Sequence, residues 1–459
     1  MDFSEFEGHL KSGARCHLVG IGGVSMSPLA EILLGMGVSV TGSDVNDGPI
    51  IRKLRSIGID VAIGHCAENV SGAGYIIRTA AAREDNVEIL SARERGIPVF
   101  ERALAWGYIM RRYKHAICIA GAHGKTTTTS MITHILLAAQ RDPTIMIGGN
   151  LPILGSGYRV GNGDVIALES CEYYNSYHFF SPTVAIILNV DADHLDFFRD
   201  IDALKDSFQK FASLVPEDGH IICNCDDENT MESLSPLGRA LFTFGLGDGA
   251  RVRGVNVCGG GRKPSMDVLF DGKPFCKIGL QIPGVHNLMN ALAAVASAIA
   301  VGIPSEAIVE GLDNYLGVGR RFEFKGSING ADVYDDYAHH PSELRATLDA
   351  ASSLEYKRTI LVFQPHTYSR TSALFDDFVT ELSRPDFTFL AQIYAARENN
   401  DIGITSDVLA ASIPGARSCA TFSEIAEEIA AIAQKGDIVL TAGAGDIYLV
   451  GEDLAAQGK

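Results

Sequence analysis

Lys125 follows a glycine and precedes a run of threonines in GAHGKTTTT, residues 121–129. An ammonium and a hydroxyl on neighbouring residues, at the mouth of a glycine turn, suit a nucleoside triphosphate. Lys125 would reach the β- and γ-phosphates and Thr126 a Mg2+ ion. The full P-loop spacing is not met, because Ile119 stands where the first glycine belongs. Gly121 and Gly124 bracket a shorter loop instead. A bare turn is the dull alternative, but threonines are poor helix formers, and four at a helix start need a reason. A second loop, GIGGVSMS at 20–27, has G-x-G-x-x-S spacing, with Asp44 at the end of the next strand. Its glycines would let the backbone approach a diphosphate at a helix N-terminus. NAD, another nucleoside diphosphate and a merely tight turn all fit that pattern.

Other chemistry-bearing residues fall just beyond apolar runs. Glu169 and Glu172 lie in ALESCEYY, and Asp191, Asp193 and His194 in NVDADHLD. Such clusters are ordinary strand ends when alone, but beside a phosphate loop they offer the hard oxygens a Mg2+ takes. Asn287 and Asn290 share one face of a helix in PGVHNLMNALAA, where a helix cap is the alternative. Arg320 and Arg321 follow a glycine-rich hinge. Asp335, Asp336, His339 and His340 crowd YDDYAHHPSE, and His366 and Arg370 lie in FQPHTYSRT. Two such loops in one block suggest a ligand site rather than solvated surface.

The elements that must hold these residues read as alternating strands and helices, hence parallel sheets. RCHLVGIGG, VSVTGSD, GYIIRTAAA and GIPVFE are strands of a first block, with SPLAEILLGMG a helix stopped near Gly37. HAICIAGAHGKTTTT is strand, loop and helix start; GDVIALE, PTVAIILN and GHIICN are further strands of a second block. RTILVF, DFTFLA and GDIVLTA belong to a third. Ligands of such sheets bind beyond the carboxyl ends of strands, where these polar clusters fall. The 459 residues suit two to four domains, and 46% hydrophobic with 20% charged residues describes a globular chain with ample core. A net charge of −18 argues against nucleic acid as the main partner. No long apolar run or apolar leader is present, so no membrane partner is expected, and the cytoplasm is the expected location. The nine cysteines show no paired zinc spacing and read as reduced thiols.

In this order, GIGGVSMS, GAHGKTTTT, NVDADHLD, PGVHNLMNALAA, GVGRRFEFKG, DDYAHHPSE and FQPHTYSRT resemble the Mur ligases of peptidoglycan precursor synthesis, over nearly the whole chain. The resemblance implies an α/β fold of three domains. These are an N-terminal Rossmann-like UDP-sugar domain at 1-103, a central P-loop-type ATPase domain at 104-316 and a C-terminal Rossmann-like amino-acid domain at 317-459. It implies that ATP, with Mg2+, phosphorylates the lactyl carboxylate of UDP-N-acetylmuramate. The amine of L-alanine then attacks the acyl phosphate. It also implies roles for individual residues. Lys125, Glu169, His194, Arg321 and His339 would be catalytic, and Thr126, Glu169 and His194 would hold the metal. Gly121, Ala122, His123, Gly124, Lys125, Thr126, Thr127, Asn287, Asn290, Arg321 and Asp336 would bind ATP. Gly20, Gly22, Gly23, Ser25, Met26, Ser43, Asp44 and His65 would bind the UDP-sugar, and Tyr337, His366 and Arg370 the amino acid. A monomer or weak homodimer is expected.

The chain departs from the family pattern at Ala122, where threonine is common, at ESCEYY in place of an EADE-type run, and at Thr367, where some relatives have an arginine. Carbamylation is not expected at Lys205 or Lys210. The competing readings are a ligase that reattaches a recycled tripeptide to UDP-N-acetylmuramate, an NAD-dependent oxidoreductase, and a non-catalytic nucleotide-binding paralogue.

Overall fold

The computed structural model describes residues 3–192, 197–396 and 398–458. His194, expected as a metal ligand and catalytic residue, and Asp193 lie outside the described residues. The chain packs into two compact units. The first comprises Met1–Asp191, Ile201–Phe244 and Val295–Ala307; the second comprises Ala192–Asp200, Gly245–Ala294 and Ile308–Lys459.

The first unit opens with five parallel strands: β1 Cys16–Val19, β2 Val40–Asp44, β3 Asp60–Ile63, β4 Tyr75–Arg78 and β5 Val99–Glu101. Their order is β3-β2-β1-β4-β5. The chain therefore reverses direction across the sheet at β1, the switch point at which open α/β sheets bind ligands. β1 is buried along its whole length, as expected of a strand covered on both faces. The helix Ser27–Gly35 follows its glycine loop, with Pro28 in the first turn, where a missing N–H costs nothing.

The same unit continues with β6 His115–Ala120, β7 Thr144–Leu151, β8 Ser156–Arg159, β9 Val165–Glu169, β10 Val184–Ile187, β11 His220–Asn224 and β12 Phe242–Gly245. β6 lies between β10 and β9, parallel to both. The loops after these three strands thus open on one edge, bringing residues 121–124, 170–172 and 188–191 together. The helix Lys125–Ala138 begins on the threonine run. Thr129 Oγ1 donates to Lys125 O at 2.8 Å and Thr133 Oγ1 to Thr129 O at 2.8 Å. Buried hydroxyls are satisfied within the helix itself, which is how a poor helix-forming sequence becomes a fully packed one.

The second unit holds an antiparallel trio, β13 Val252–Cys258, β14 Ser265–Phe270 and β15 Lys273–Gly279. Its larger sheet comprises β16 Glu323–Ile328, β17 Ala331–Asp336, β18 Arg358–Phe363, β19 Phe387–Leu390, β20 Arg417–Ser418 and β21 Asp437–Ala442. The order is β16-β17-β21-β18-β19-β20, with β16 antiparallel. Along β18, Leu361 and Phe363 join one hydrophobic cluster while Ile360 and Val362 join another. The two-residue period of a strand covered on both faces explains the split.

The antiparallel hairpins are absent from the reading by alternating strands and helices. Their turns nonetheless carry a local signal. Asp271-Gly272 joins β14 to β15 with φ of 47° and 76°, and Asn329-Gly330 joins β16 to β17 with φ of 51° and 80°. Asp-Gly and Asn-Gly are the dipeptides that tolerate positive φ at both turn positions.

Candidate active site

In the first unit the loop after β6 turns through Gly121, with φ 141°, and Gly124, with φ 84°. A Cβ on Gly121 would come within 2.9 Å of Leu188 Cβ, so no larger residue fits the turn unless its neighbours move. Asn189 holds the loop from the side. Its Oδ1 accepts from His123 N at 2.8 Å, and its Nδ2 donates to His123 O at 3.1 Å. The His123 ring lies 3.0 Å from Asp191. Ala122 is buried, and its amide donates to Asn189 O at 3.2 Å, so the backbone rather than the side chain ties this position down.

Lys125 Nζ donates to the carbonyls of Gly121 and Ala122 and to the carboxylate of Glu172, 3.1 Å away. Glu172 is 1% exposed. Sequence reasoning left its role open; the structure makes it the counter-ion of the loop lysine. Thr126 and Thr127 are buried in the first helical turn. Glu169, at the end of β9, accepts from Gly148 N at 2.7 Å through Oε1. A Cβ on Gly148 would come within 2.7 Å of Glu169 Oε2, so the glycine keeps that space open. Thr126 and Glu169 are an all-oxygen donor set of the kind Mg2+ takes. Lys205, in the helix Ile201–Ser213, pairs with Glu232.

The loop after β1 is held differently. Gly20 has φ 76°, and Gly22 N donates to Asp44 Oδ2 at 2.9 Å. Asp44 thus braces the loop, and its Oδ1 also accepts from Asn46 N at 3.1 Å. Ser43 is fully buried, and its hydroxyl donates to Glu88 Oε2 at 2.6 Å. The side chain expected at the UDP-sugar therefore points into the protein, because a buried carboxylate needs its donors more than a solvated ligand does. His65 Nδ1 lies 2.9 Å from the same Glu88 oxygen. Asn69 donates to the other oxygen, and His17 Nε2 lies 3.8 Å from it. Burial pushes the Glu88 carboxyl up, but His17, Ser43 and Asn69 outweigh burial and hold it down at about 2. Glu88 had no signal in the sequence beyond lying in the first turn of a helix capped by Asn86.

Ser25 is held twice by the helix Arg102–Met110. Arg102 donates to its hydroxyl, and Trp106 Nε1 donates to its carbonyl at 2.9 Å. Beside them a cavity of about 180 Å³ is lined by Ser25, Arg102, Trp106, Met146, Gly148, Glu169, Cys171 and Phe180, among others. Residues from the β1 loop and from the end of β9 therefore face one space. Met26 is fully buried and packs in the core instead.

In the second unit Arg320 and Phe322 adopt φ of 62° and 48° at the hinge before β16. Asp336 holds that bend: its Oδ2 accepts from Phe322 N and its Oδ1 from Ala338 N, each at 2.8 Å. Both carboxylate oxygens of this expected ATP contact are thus engaged by backbone. Burial pushes its carboxyl up to about 6, against the charge of Arg321 and those two amides. Arg320 pairs with Asp335 at 3.1 Å. Arg320 and Arg321 both lie over the Tyr337 ring, at 4.9 and 5.1 Å. The His339 ring lies 5.4 Å from Tyr337 and 5.7 Å from His366. His366 stacks on Tyr394 and lies 3.2 Å from Arg370 Nη1. Thr367 has φ 67°, and its hydroxyl caps the helix that carries Arg370. Arg321, Tyr337, His339, His366 and Arg370 are therefore neighbours. Asn287 and Asn290 are buried, and Asn287 Nδ2 donates to Pro283 O at 2.6 Å, the bond of a residue fastening its own helix start.

The chain matches the Mur ligase family catalytic domain over residues 15–114, the Mur ligase middle domain over 119–298 and the Mur ligase glutamate ligase domain over 320–445. It is similar to the UDP-N-acetylmuramate–L-alanine ligase of Clostridium novyi, 42% identical across 95% of this chain and 96% of that protein. Among solved structures it is similar to the UDP-N-acetylmuramate–alanine ligase of Thermotoga maritima, with TM-score 0.79 and 27% identity over 97% and 99% of the two chains. A murein peptide ligase of Psychrobacter arcticus shares the fold, with TM-score 0.69 and 21% identity over 97% and 98%.

Proposed function

The chain belongs to the Mur ligase family, and on that premise we propose that it joins L-alanine to the lactyl carboxylate of UDP-N-acetylmuramate at the expense of ATP. The observation that carries the reading is Lys125, set at the N-terminus of a buried helix between two loop carbonyls and Glu172, on the strand edge that also presents Glu169. Such a lysine clamps phosphates. A carboxylate is a poor electrophile until it is phosphorylated, and that transfer needs alignment and charge neutralisation more than covalent help.

In this reading the β6 loop takes the triphosphate of ATP on its amides and on Lys125. The β1 loop takes the UDP of the sugar nucleotide, at the N-terminus of the helix Ser27–Gly35. Thr126 and Glu169 would hold Mg2+, with His194 as a further ligand. When bound, Mg2+ neutralises charge on the transferring phosphoryl group. Arg321 and His339 are proposed to face the reaction, and Asn287 and Asn290 the adenine. Asp336 holds the backbone beside Arg321 and His339, through the Phe322 and Ala338 amides. Tyr337, His366 and Arg370 form the amino-acid pocket, in which arginine is suited to a carboxylate. The domain limits at residues 103 and 316, action as a monomer or weak homodimer, and a cytoplasmic setting belong to the same proposal. Among the described residues no helix is long and apolar enough to cross a membrane.

The test is phosphate release from ATP with UDP-N-acetylmuramate, offering L-alanine or the recycled tripeptide. Release with L-alanine is expected. Release with the tripeptide alone would transfer the assignment to the recycling ligase. Hydride transfer with NAD, or no turnover with any acceptor, would overturn it altogether.

A further inference from the structure

We propose that Arg102 is a substrate-binding residue, donating through its guanidinium to an anionic oxygen pair of the sugar nucleotide in the cavity beside Ser25. The proposal rests on the reading that this unit binds UDP-N-acetylmuramate. A guanidinium carries five N–H donors in a planar fork. The structure gives Arg102 one hydrogen bond, to the Ser25 hydroxyl, and no carboxylate partner among the described residues. Arg102 is half-buried, and burial pushes its guanidinium pKa down against the opposing charges of Cys171 and Glu101. A charge partly withdrawn from water is costly unless paired. Here the unpaired fork borders a cavity of about 180 Å³, room for a few ligand atoms rather than one water.

Position identifies the class of anion. Ser25 belongs to the glycine loop that ends in the helix Ser27–Gly35, so Arg102 stands beside the place where a diphosphate meets that helix. Glu169, proposed above as a Mg2+ ligand, lines the same cavity, and Trp106, Met146 and Phe180 supply apolar wall. A sugar nucleotide bound here offers two anionic oxygen pairs, its diphosphate and its lactyl carboxylate. Either matches the bidentate geometry of arginine.

The experiment is calorimetric titration of UDP, UDP-N-acetylglucosamine and UDP-N-acetylmuramate into wild-type protein, Arg102→Gln and Arg102→Lys. ATP binding and melting temperature are followed in parallel. Arg102→Gln should weaken UDP-N-acetylmuramate binding roughly 10- to 100-fold, with Arg102→Lys in between and ATP binding unchanged. An equal loss for all three ligands assigns the diphosphate. A loss confined to UDP-N-acetylmuramate assigns the carboxylate. Wild-type affinities in Arg102→Gln overturn the proposal. So does a loss that extends equally to ATP and is not relieved in Arg102→Lys, which would mean the residue only holds the fold. Failure of the underlying reading would look different: wild-type protein would bind none of the three.

Discussion

The loop after β1 and the loop after β6 both turn on glycines with positive φ, yet only the second carries a cation on its own helix. In the first, Asp44 braces the Gly22 amide and Ser25 is tied to the helix Arg102–Met110. Its charge arrives from another element. In the second, Lys125 is the first residue of the helix and bridges its own loop to Glu172. The difference matches two tasks. A group that is only held needs fixed donors, whereas a group that is transferred also needs a cation aimed at where its charge develops.

The largest expected effect breaks the comparison most directly. Lys125→Ala should lower phosphate release by about 10²–10³-fold while leaving UDP-N-acetylmuramate affinity within about twofold. Titration calorimetry alongside the turnover assay decides this, and a parallel fall in both would mean the loops are not separate sites.

Glu88 probes the support behind the first loop. Its carboxyl is held at about 2 in the folded protein against an ordinary 4.5. A depressed carboxylate contributes stability that is present above pH 4.5 and lost as pH falls towards 2. Glu88→Gln should therefore cost on the order of 3 kcal/mol at neutral pH. The gap to wild type should narrow in urea melts as the pH is lowered through that window. A gap that is constant with pH would show that the charge of Glu88 is not what binds Ser43, His65 and Asn69 together. Asp336 titrates in the opposite sense. With its pKa raised to about 6, its contribution is present at low pH and lost as pH rises from 3.8 through 6.

The glycines give the smallest effects. Gly124→Ala places an alanine at φ 84° and should cost about 1–2 kcal/mol, read as a lower melting temperature and weaker ATP binding. Gly23→Ala in the first loop has no positive φ, and its nearest foreign atom is Gly20 O at 3.4 Å. It should change melting by less than about 0.5 kcal/mol. Equal penalties would erase the distinction drawn between the turns.

What could be read along the chain was local. Apolar runs ending in glycine marked β1 and β6, and the threonine run marked the helix start. DDYAHHPSE and FQPHTYSRT marked two loops that meet at the His339 and His366 rings. Each of these depends on neighbours within a few residues, so one segment suffices to show it. The antiparallel hairpins were equally local, through Asp271-Gly272 and Asn329-Gly330, though they fall outside the strand–helix alternation.

The chain by itself determined the parallel α/β architecture, the two glycine loops and the family, because backbone conformation and hydrophobic period are written in adjacent residues. Only the tertiary structure decided which polar groups answer which. It paired Lys125 with Glu172, turned Ser43 inward to Glu88 across 45 positions and brought Arg102 to Ser25 across 77. It also made Asp336, an expected nucleotide contact, the clamp of its own hinge. Buried charges and donors find partners by proximity in space, and no spacing along the chain encodes that.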